Sequence, residues 1–309
     1  MSSSESPVAT QRWRLDLAYD GRGLYGFAAQ PGRDTVVSLL REALARSLRL
    51  EEAPWVVGAG RTDAGVHAVA QVVHTDLPAH WTISRYGQNS ESLRRSLNHQ
   101  LSGRVRVQRL RPVGAQFHAR YDATWRAYRY LIVEAEPPAL ELENDWSWTV
   151  RGPLDLVAMN EAASRLVGLH DFRAFCRRPP DKAPGAPLVR DLWELSVRPV
   201  EDGAGLAPLG SRVLRLDARA QSFCHSMVRS LTSTLVAVGR GVLDVAGVEA
   251  ALARGERGPL PAPAPPGGLS LIGVGYPELA GGPSGFVGLE VRHPETLVLG
   301  EARSLKEEP

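Results

Sequence analysis

A chain of 309 residues can bury a sizeable core, either as one large domain or as two packed halves sharing a single body, and two halves is the expectation. Its 36 Lys+Arg against 34 Asp+Glu exclude a polyanion-binding reading from bulk charge, so local clusters must carry any such case. Two cysteines, Cys176 and Cys224, without C-x-x-C spacing suggest neither a disulfide framework nor a zinc site; with a polar start, MSSSESPVATQR, and no apolar run of about 18 residues, the reading is a soluble, unexported, cytoplasmic protein with no metal and no membrane span.

The first ten residues read as a disordered tail. From Trp13 the chain alternates Trp13, Leu15, Leu17 and Tyr19 against Arg14, Asp16 and Ala18, the period of a half-buried strand. From Thr35 the spacing becomes helical, with Val36, Leu39, Leu40, Ala43, Leu44 and Leu48 behind a cap at Asp34 or Thr35. The glycine-bearing loop GAGRTDAGVHAVAQVVH, residues 58 to 74, runs into a further strand, in which His67 and His74 read as structural. A second set of elements repeats this order: a helix over 153–167, strands WELSVRP and RVLRLDA, and a helix from Phe223 with the stripe Phe223, Met227, Leu231, Leu235, Val238. The divide falls near residues 111 to 116, which gives an N-terminal half over 11–112 and a C-terminal half over 113–278. Past Arg257, GPLPAPAPPGG is a proline-rich connector to the strand LSLIGVGY, and 279–309 form a tail whose last residues read as disordered.

Three stretches carry chemistry. In the loop, Gly58 and Gly60 superficially suit a dinucleotide turn, but Asp63 occupies the third glycine position and puts negative charge where a pyrophosphate would lie. This weakens a nucleotide-dependent oxidoreductase. A carboxylate among small residues with Arg61 two positions earlier reads better as a presented nucleophile or electrostatic stabiliser, its charge held by the arginine. The segment FHARYDATWRAYRYLIV places Thr124, Arg126, Tyr128, Tyr130 and Ile132 on one strand face, which offers rings for bases and guanidinium groups for phosphates. Around it, ten arginines between Arg85 and Tyr130, among them Arg94, Arg95 and Arg120, face only Glu91 and Asp122, a local excess of eight positive charges. In QSFCHSMVRSL, Arg229 lies roughly 200° from Met227 on a helix, away from the apolar stripe and near Ser222, Ser226 and Ser233.

In this order the motifs resemble those of the tRNA pseudouridine synthase A family, from about residue 14 to residue 277: YDGRGLYGFAAQ, the catalytic loop GAGRTDAGVHAVAQVVH, FHARYDATWRAYRY, GLHDFRAF, FCHSMVRSL and APPGGLSLIGVGY. The resemblance implies the pseudouridine synthase fold, an α+β body of two similar halves sharing a central antiparallel sheet. It implies cofactor-free isomerisation of uridine to pseudouridine at nucleotides 38–40 of the tRNA anticodon stem-loop, by a homodimer whose two chains contact one tRNA. It assigns Asp63 as nucleophile, attacking C1′ of the ribose or C6 of the base, Tyr128 as the residue stacked on the target base, Arg61 as partner of the carboxylate and aid to nucleotide eversion, and Arg229 as a further partner of Asp63. The close packing of small residues in the loop then reads as room for a flipped nucleotide. Phe27 replaces the usual tryptophan, Ala28-Ala29 replace bulkier polar residues, and Ser226 stands where histidine commonly precedes Met-Val-Arg, so His225 receives no role. The rival reading is a non-catalytic RNA-binding protein or RNA chaperone, which would need no carboxylate at position 63.

Overall fold

The computed structural model describes residues 9–79, 90–135, 146–178, 183, 185–201 and 211–277. The tails and Arg85 lie outside them, apart from Ala9 and Thr10. These two belong to the fold: Thr10 opens the first strand and the Ala9 carbonyl accepts from Ala79 N.

Mixed α/β architecture is built on one large, mostly antiparallel sheet. In chain order come β1 (Thr10–Tyr19), α1 (Val36–Leu48), β2 (Val56–Gly58), β3 (His67–Pro78), α2 (Ser90–Gln100), β4 (Val105–Pro112), β5 (Trp125–Ala135) and β6 (Trp148–Arg151). There follow α3 (Leu156–Leu166), β7 (Gly168–Asp171), β8 (Val189–Pro199), β9 (Arg212–Ala220), α4 (Met227–Gly239), α5 (Val245–Arg254) and β10 (Leu269–Gly275). The strands run β4-β1-β3-β10-β5-β9-β8-β7, with β2 beside β3 and β6 beside β5. Thus β10, nearly the last segment described, lies in the middle, parallel to β3 and antiparallel to β5.

Register explains which face matters. Tyr19 opposes Ala68, Ala68 opposes Leu271, Leu271 opposes Tyr128, Tyr128 opposes Ala218 and Ala218 opposes Leu195, one row of side chains crossing six strands. Directly opposed residues share a face, and all six are buried. The helices cover this core. In α1, Thr35 caps through a reciprocal box with Ser38, the hydroxyl of each accepting from the other's amide, while Asp34 pairs with Arg104 at 2.8 Å. In α3, Asp155 caps two amides, so the helix begins three residues inside the predicted 153–167 span.

Two predicted solvent faces are interior. Arg14 and Asp16 are buried, bonded to each other at 2.7 Å, because Tyr276 and Phe117 close over them: the Arg14 guanidinium carbon lies 4.7 Å from the Tyr276 ring centroid and 5.9 Å from that of Phe117. The polar side of α4 is also packed. Thr232, Ser233 and Thr234 turn their hydroxyls onto carbonyls of their own helix at 2.8–3.0 Å, which satisfies them without water. The two cysteines, whose spacing suggested no disulfide framework, are joined as a Cys176–Cys224 disulfide with Cα atoms 5.9 Å apart; the 48-residue separation conceals the pairing.

His74 serves the fold. Its Nδ1 accepts from Ala119 N at 3.1 Å, tying β3 to the segment that leads into β5, and burial, reinforced by Arg12 and His118, pushes its pKa down to about 4. The folded state therefore holds a neutral ring: the contribution is complete above the ordinary value of 6.5 and is lost as pH falls from there towards 4. Over that window it is worth up to about 3 kcal/mol. Asparagine can offer an oxygen where Nδ1 sits and does not titrate, so His74→Asn should flatten the fall in unfolding free energy between pH 7 and pH 5, read by urea denaturation. An unchanged slope would assign the acid sensitivity elsewhere.

Candidate active site

Arg61, Thr62 and Asp63 lie in the loop from β2 to β3, above the row formed by Tyr19, Ala68, Leu271 and Tyr128. Every neighbouring segment grips this loop. Ala59 N donates to Val72 O at 2.8 Å, Gln71 Nε2 to Gly60 O at 3.0 Å, and Phe27 N to Thr62 O at 3.1 Å. The Thr62 hydroxyl is 2.9 Å from the buried Tyr19 hydroxyl, whose pKa burial raises to about 12. Val66 N donates to Asp63 O across a turn whose third residue, Gly65, has φ +79°, a conformation that side-chain-bearing residues avoid.

At Gly58 and Gly65 the small residues make room for the protein itself. A Cβ on Gly58 would lie 2.2 Å from the edge of the Phe27 ring, and one on Gly65 would lie 2.9 Å from Pro266. At those two positions the close approach is made by Phe27 and by the proline-rich connector, whereas a Cβ on Gly60 would lie 3.8 Å from the Tyr128 hydroxyl, an ordinary contact.

Asp63 projects from this rigid loop with its side chain 23% exposed. Its Oδ2 accepts from Arg229 Nη1 and from Ser226 Oγ, both at 2.8 Å, and His225 Nε2 stands 3.3 Å from Oδ1. Arg229 is itself anchored: its Nε donates to Ala264 O at 2.7 Å, and Ala264 N returns a bond to Arg229 O at 3.0 Å. The connector continues the wall, since Pro265 O accepts from the Tyr130 hydroxyl at 2.7 Å. One carboxylate therefore meets two donors and an imidazole from a segment more than 160 residues away in sequence. A carboxylate so held is oriented and reachable, which suits nucleophilic attack or stabilisation of a cationic sugar.

Arg61 does not hold the carboxylate. It is exposed, and among the described residues Asp63 takes its donors from α4 and the residues before it. Tyr128 faces the loop, its hydroxyl 3.8 Å from where a Gly60 Cβ would stand and its ring edge-on to Phe223 at 5.1 Å. Burial, with Tyr19 and Asp63 adding to it, pushes the Tyr128 phenol well above its ordinary value of 10, so it can donate a proton in a hydrogen bond but is no base at neutral pH.

The predicted aromatic and basic surface is largely interior. Tyr130 is fully buried, and Arg126, 8% exposed, bonds carbonyls of Ala59, Arg120, Ala123 and Gln221 at 2.7–3.2 Å, which removes it from any RNA surface. Arg129 pairs with Asp217 at 2.7 Å and Arg94 with Glu91. Arg95, Arg106, Arg109 and Arg120 are exposed. Ser226, His225 and Ala264 had no assigned role from sequence; only the serine directly before Met-Val-Arg marked the place. Among the described residues, no three His, Cys, Asp or Glu side chains converge as a metal site requires, and no helix is long and apolar enough to cross a membrane.

Comparison with known proteins bears on the whole chain. Residues 162–277 match the family described as "tRNA pseudouridine synthase". Three proteins named "tRNA pseudouridine synthase A" align over most of their length. That of Frankia casuarinae is 42% identical over 266 residues, 86% of this chain and 89% of its own. That of Cutibacterium acnes is 38% identical over 267 residues, 86% and 89%. That of Rhodospirillum centenum is 40% identical over 271 residues, 86% and 100%. These alignments are too long to be confined to the C-terminal portion that contributes Arg229. The chain therefore belongs to the tRNA pseudouridine synthase A family.

Proposed function

We propose that the protein isomerises uridine to pseudouridine in tRNA, at nucleotides 38–40 of the anticodon stem-loop, with Asp63 as nucleophile. The observation that supports this most is the Asp63 carboxylate, fixed through Oδ2 by Arg229 and Ser226 and set beside the protonated Tyr128. Isomerisation breaks the C1′–N1 bond and makes a C1′–C5 bond, the proton lost at C5 being replaced at N1, so the balance calls for no redox or group-transfer cofactor. A uridine inside a stem must leave the stack to meet Asp63, and a bonded, inflexible loop keeps the carboxylate in place during that event. Arg61, exposed beside Asp63, is proposed to help evert the nucleotide, and the exposed Arg95 and Arg120 to meet phosphates. The protein is proposed to act in the cytoplasm as a homodimer, two chains contacting one tRNA.

The test is to incubate the protein with unmodified tRNA carrying uridine at 38 to 40, without cofactor, and to locate pseudouridine by carbodiimide-stop primer extension. Binding without modification would overturn the enzymatic reading. Tyr128 refines it. Tyr128→Ala should lose a stacking contact of about 1–3 kcal/mol in tRNA binding, whereas Tyr128→Phe keeps the ring. In single turnover with saturating enzyme, parental rates for the Phe variant would mean support of the base alone; a large loss would give the hydroxyl a proton to hold. Arg95→Gln should weaken all tRNAs alike and reduce the salt dependence of binding, while Arg94, already paired with Glu91, should matter less.

A further inference from the structure

Ser226 stands where α4 begins, yet its backbone is left-handed, with φ 59° and ψ 13°, a region that serine enters only at a cost. A serine in this place ordinarily turns its hydroxyl onto the first free amides of the helix, but Ser226 makes no such cap. Its Oγ donates across the cleft to Asp63 Oδ2 at 2.8 Å. The backbone here is secured independently of that hydroxyl: Met227 N donates to Cys224 O at 3.1 Å, Ser230 N to Ser226 O at 3.0 Å, Arg177 N to His225 O at 3.0 Å, and Cys224 is joined to Cys176. The left-handed residue turns the chain so that consecutive side chains address different atoms. Ser226 and, one turn on, Arg229 take Oδ2, whereas His225 Nε2 lies 3.3 Å from Oδ1 with its side chain 47% exposed.

We propose that Ser226 is a positioning residue: with Arg229 it fixes the rotation of the Asp63 carboxylate, so that Oδ2 is retained by the protein and Oδ1, on the open His225 side, is the oxygen delivered to the substrate. With Arg229 alone on Oδ2 the carboxylate could pivot about that bond and swing Oδ1 towards His225; two donors on Oδ2 set its plane. This rests on the reading of Asp63 as the nucleophile.

Glycine adopts the left-handed region without penalty, so Ser226→Gly removes the hydroxyl while relieving the backbone. Its thermal midpoint should equal or exceed the parent's and its tRNA affinity should match, while single-turnover pseudouridine formation falls about tenfold. A residue that merely supported the fold would move stability and rate in the same direction. Asparagine tolerates the same backbone and carries an N–H donor, so Ser226→Asn should recover most of the lost rate. A Gly variant that turns over at the parental rate, or an Asn variant no faster than Gly, would overturn the proposal. Asp63→Asn, measured alongside, separates the two levels. If it still forms pseudouridine, the reading of Asp63 fails and this proposal with it; if it is inactive while Ser226→Gly is parental, only the positioning role fails.

Discussion

Asp63→Asn should bind tRNA within a few-fold of the parent and form no detectable pseudouridine, a loss on the order of 10⁴-fold or more in single turnover. The amide keeps the size of the carboxylate and can still accept from Ser226 Oγ and Arg229 Nη1, so the loop retains its contacts. It loses the negative charge that the proposed attack on an electrophilic carbon requires. Arg229 then faces a neutral partner but keeps its bond to Ala264 O, so the fold should be weakened by only about 1–2 kcal/mol. The separation of affinity from turnover is the content of the prediction. Residual turnover within tenfold of the parent would remove Asp63 from the chemistry, and a matching collapse of binding would make it a structural anchor.

The second large effect falls on stability. Arg126→Met should cost about 3–5 kcal/mol, because the methionine fills the stem's volume but leaves four carbonyls without this donor, those of Ala59 and Ala123 in buried residues. These carbonyls belong to Ala59, Arg120, Ala123 and Gln221, so one guanidinium joins the start of the Asp63 loop, the segment before β5 and the segment before α4. Among the described residues no carboxylate balances it, and burial lowers its pKa. Lysine should not rescue, since one ammonium group cannot span the fork of a guanidinium. Urea unfolding checks the claim, with turnover expected to fall as the loop loosens. A variant as stable as the parent that binds tRNA poorly would return Arg126 to the RNA surface.

The contrast between these residues shows what a linear reading can reach. Strand alternation in β1 and β5 and helical spacing in α1 follow from local periods, and those elements lie where the periods put them. What covers the second face of a strand is not local. Arg14, Asp16 and Arg126 read as solvated because arginine and aspartate on alternating positions ordinarily are, yet Tyr276, Phe117 and the carbonyls of distant loops enclose them. The N-terminal boundary of α4 moved for a backbone reason: the apolar spacing begins at Phe223, but the left-handed Ser226 delays the helix to Met227. The candidate nucleophile was legible from the motif, while its contact with Ser226 across 163 residues could not be read from any spacing. Arg61 illustrates the converse, for nearness in sequence suggested a pair that the loop geometry turns apart.

The central place of β10 also bears on how the protein is made. While residues before Leu269 emerge from the ribosome, the edge of β3 near His67 and that of β5 from Trp125 to Tyr130 stand open, because the strand that fills the gap has yet to be synthesised. Such facing edges are templates for pairing with another chain. The nascent protein thus carries its aggregation hazard until β10 arrives, and interrupted translation products should be substrates for chaperones and proteases rather than partly active enzymes.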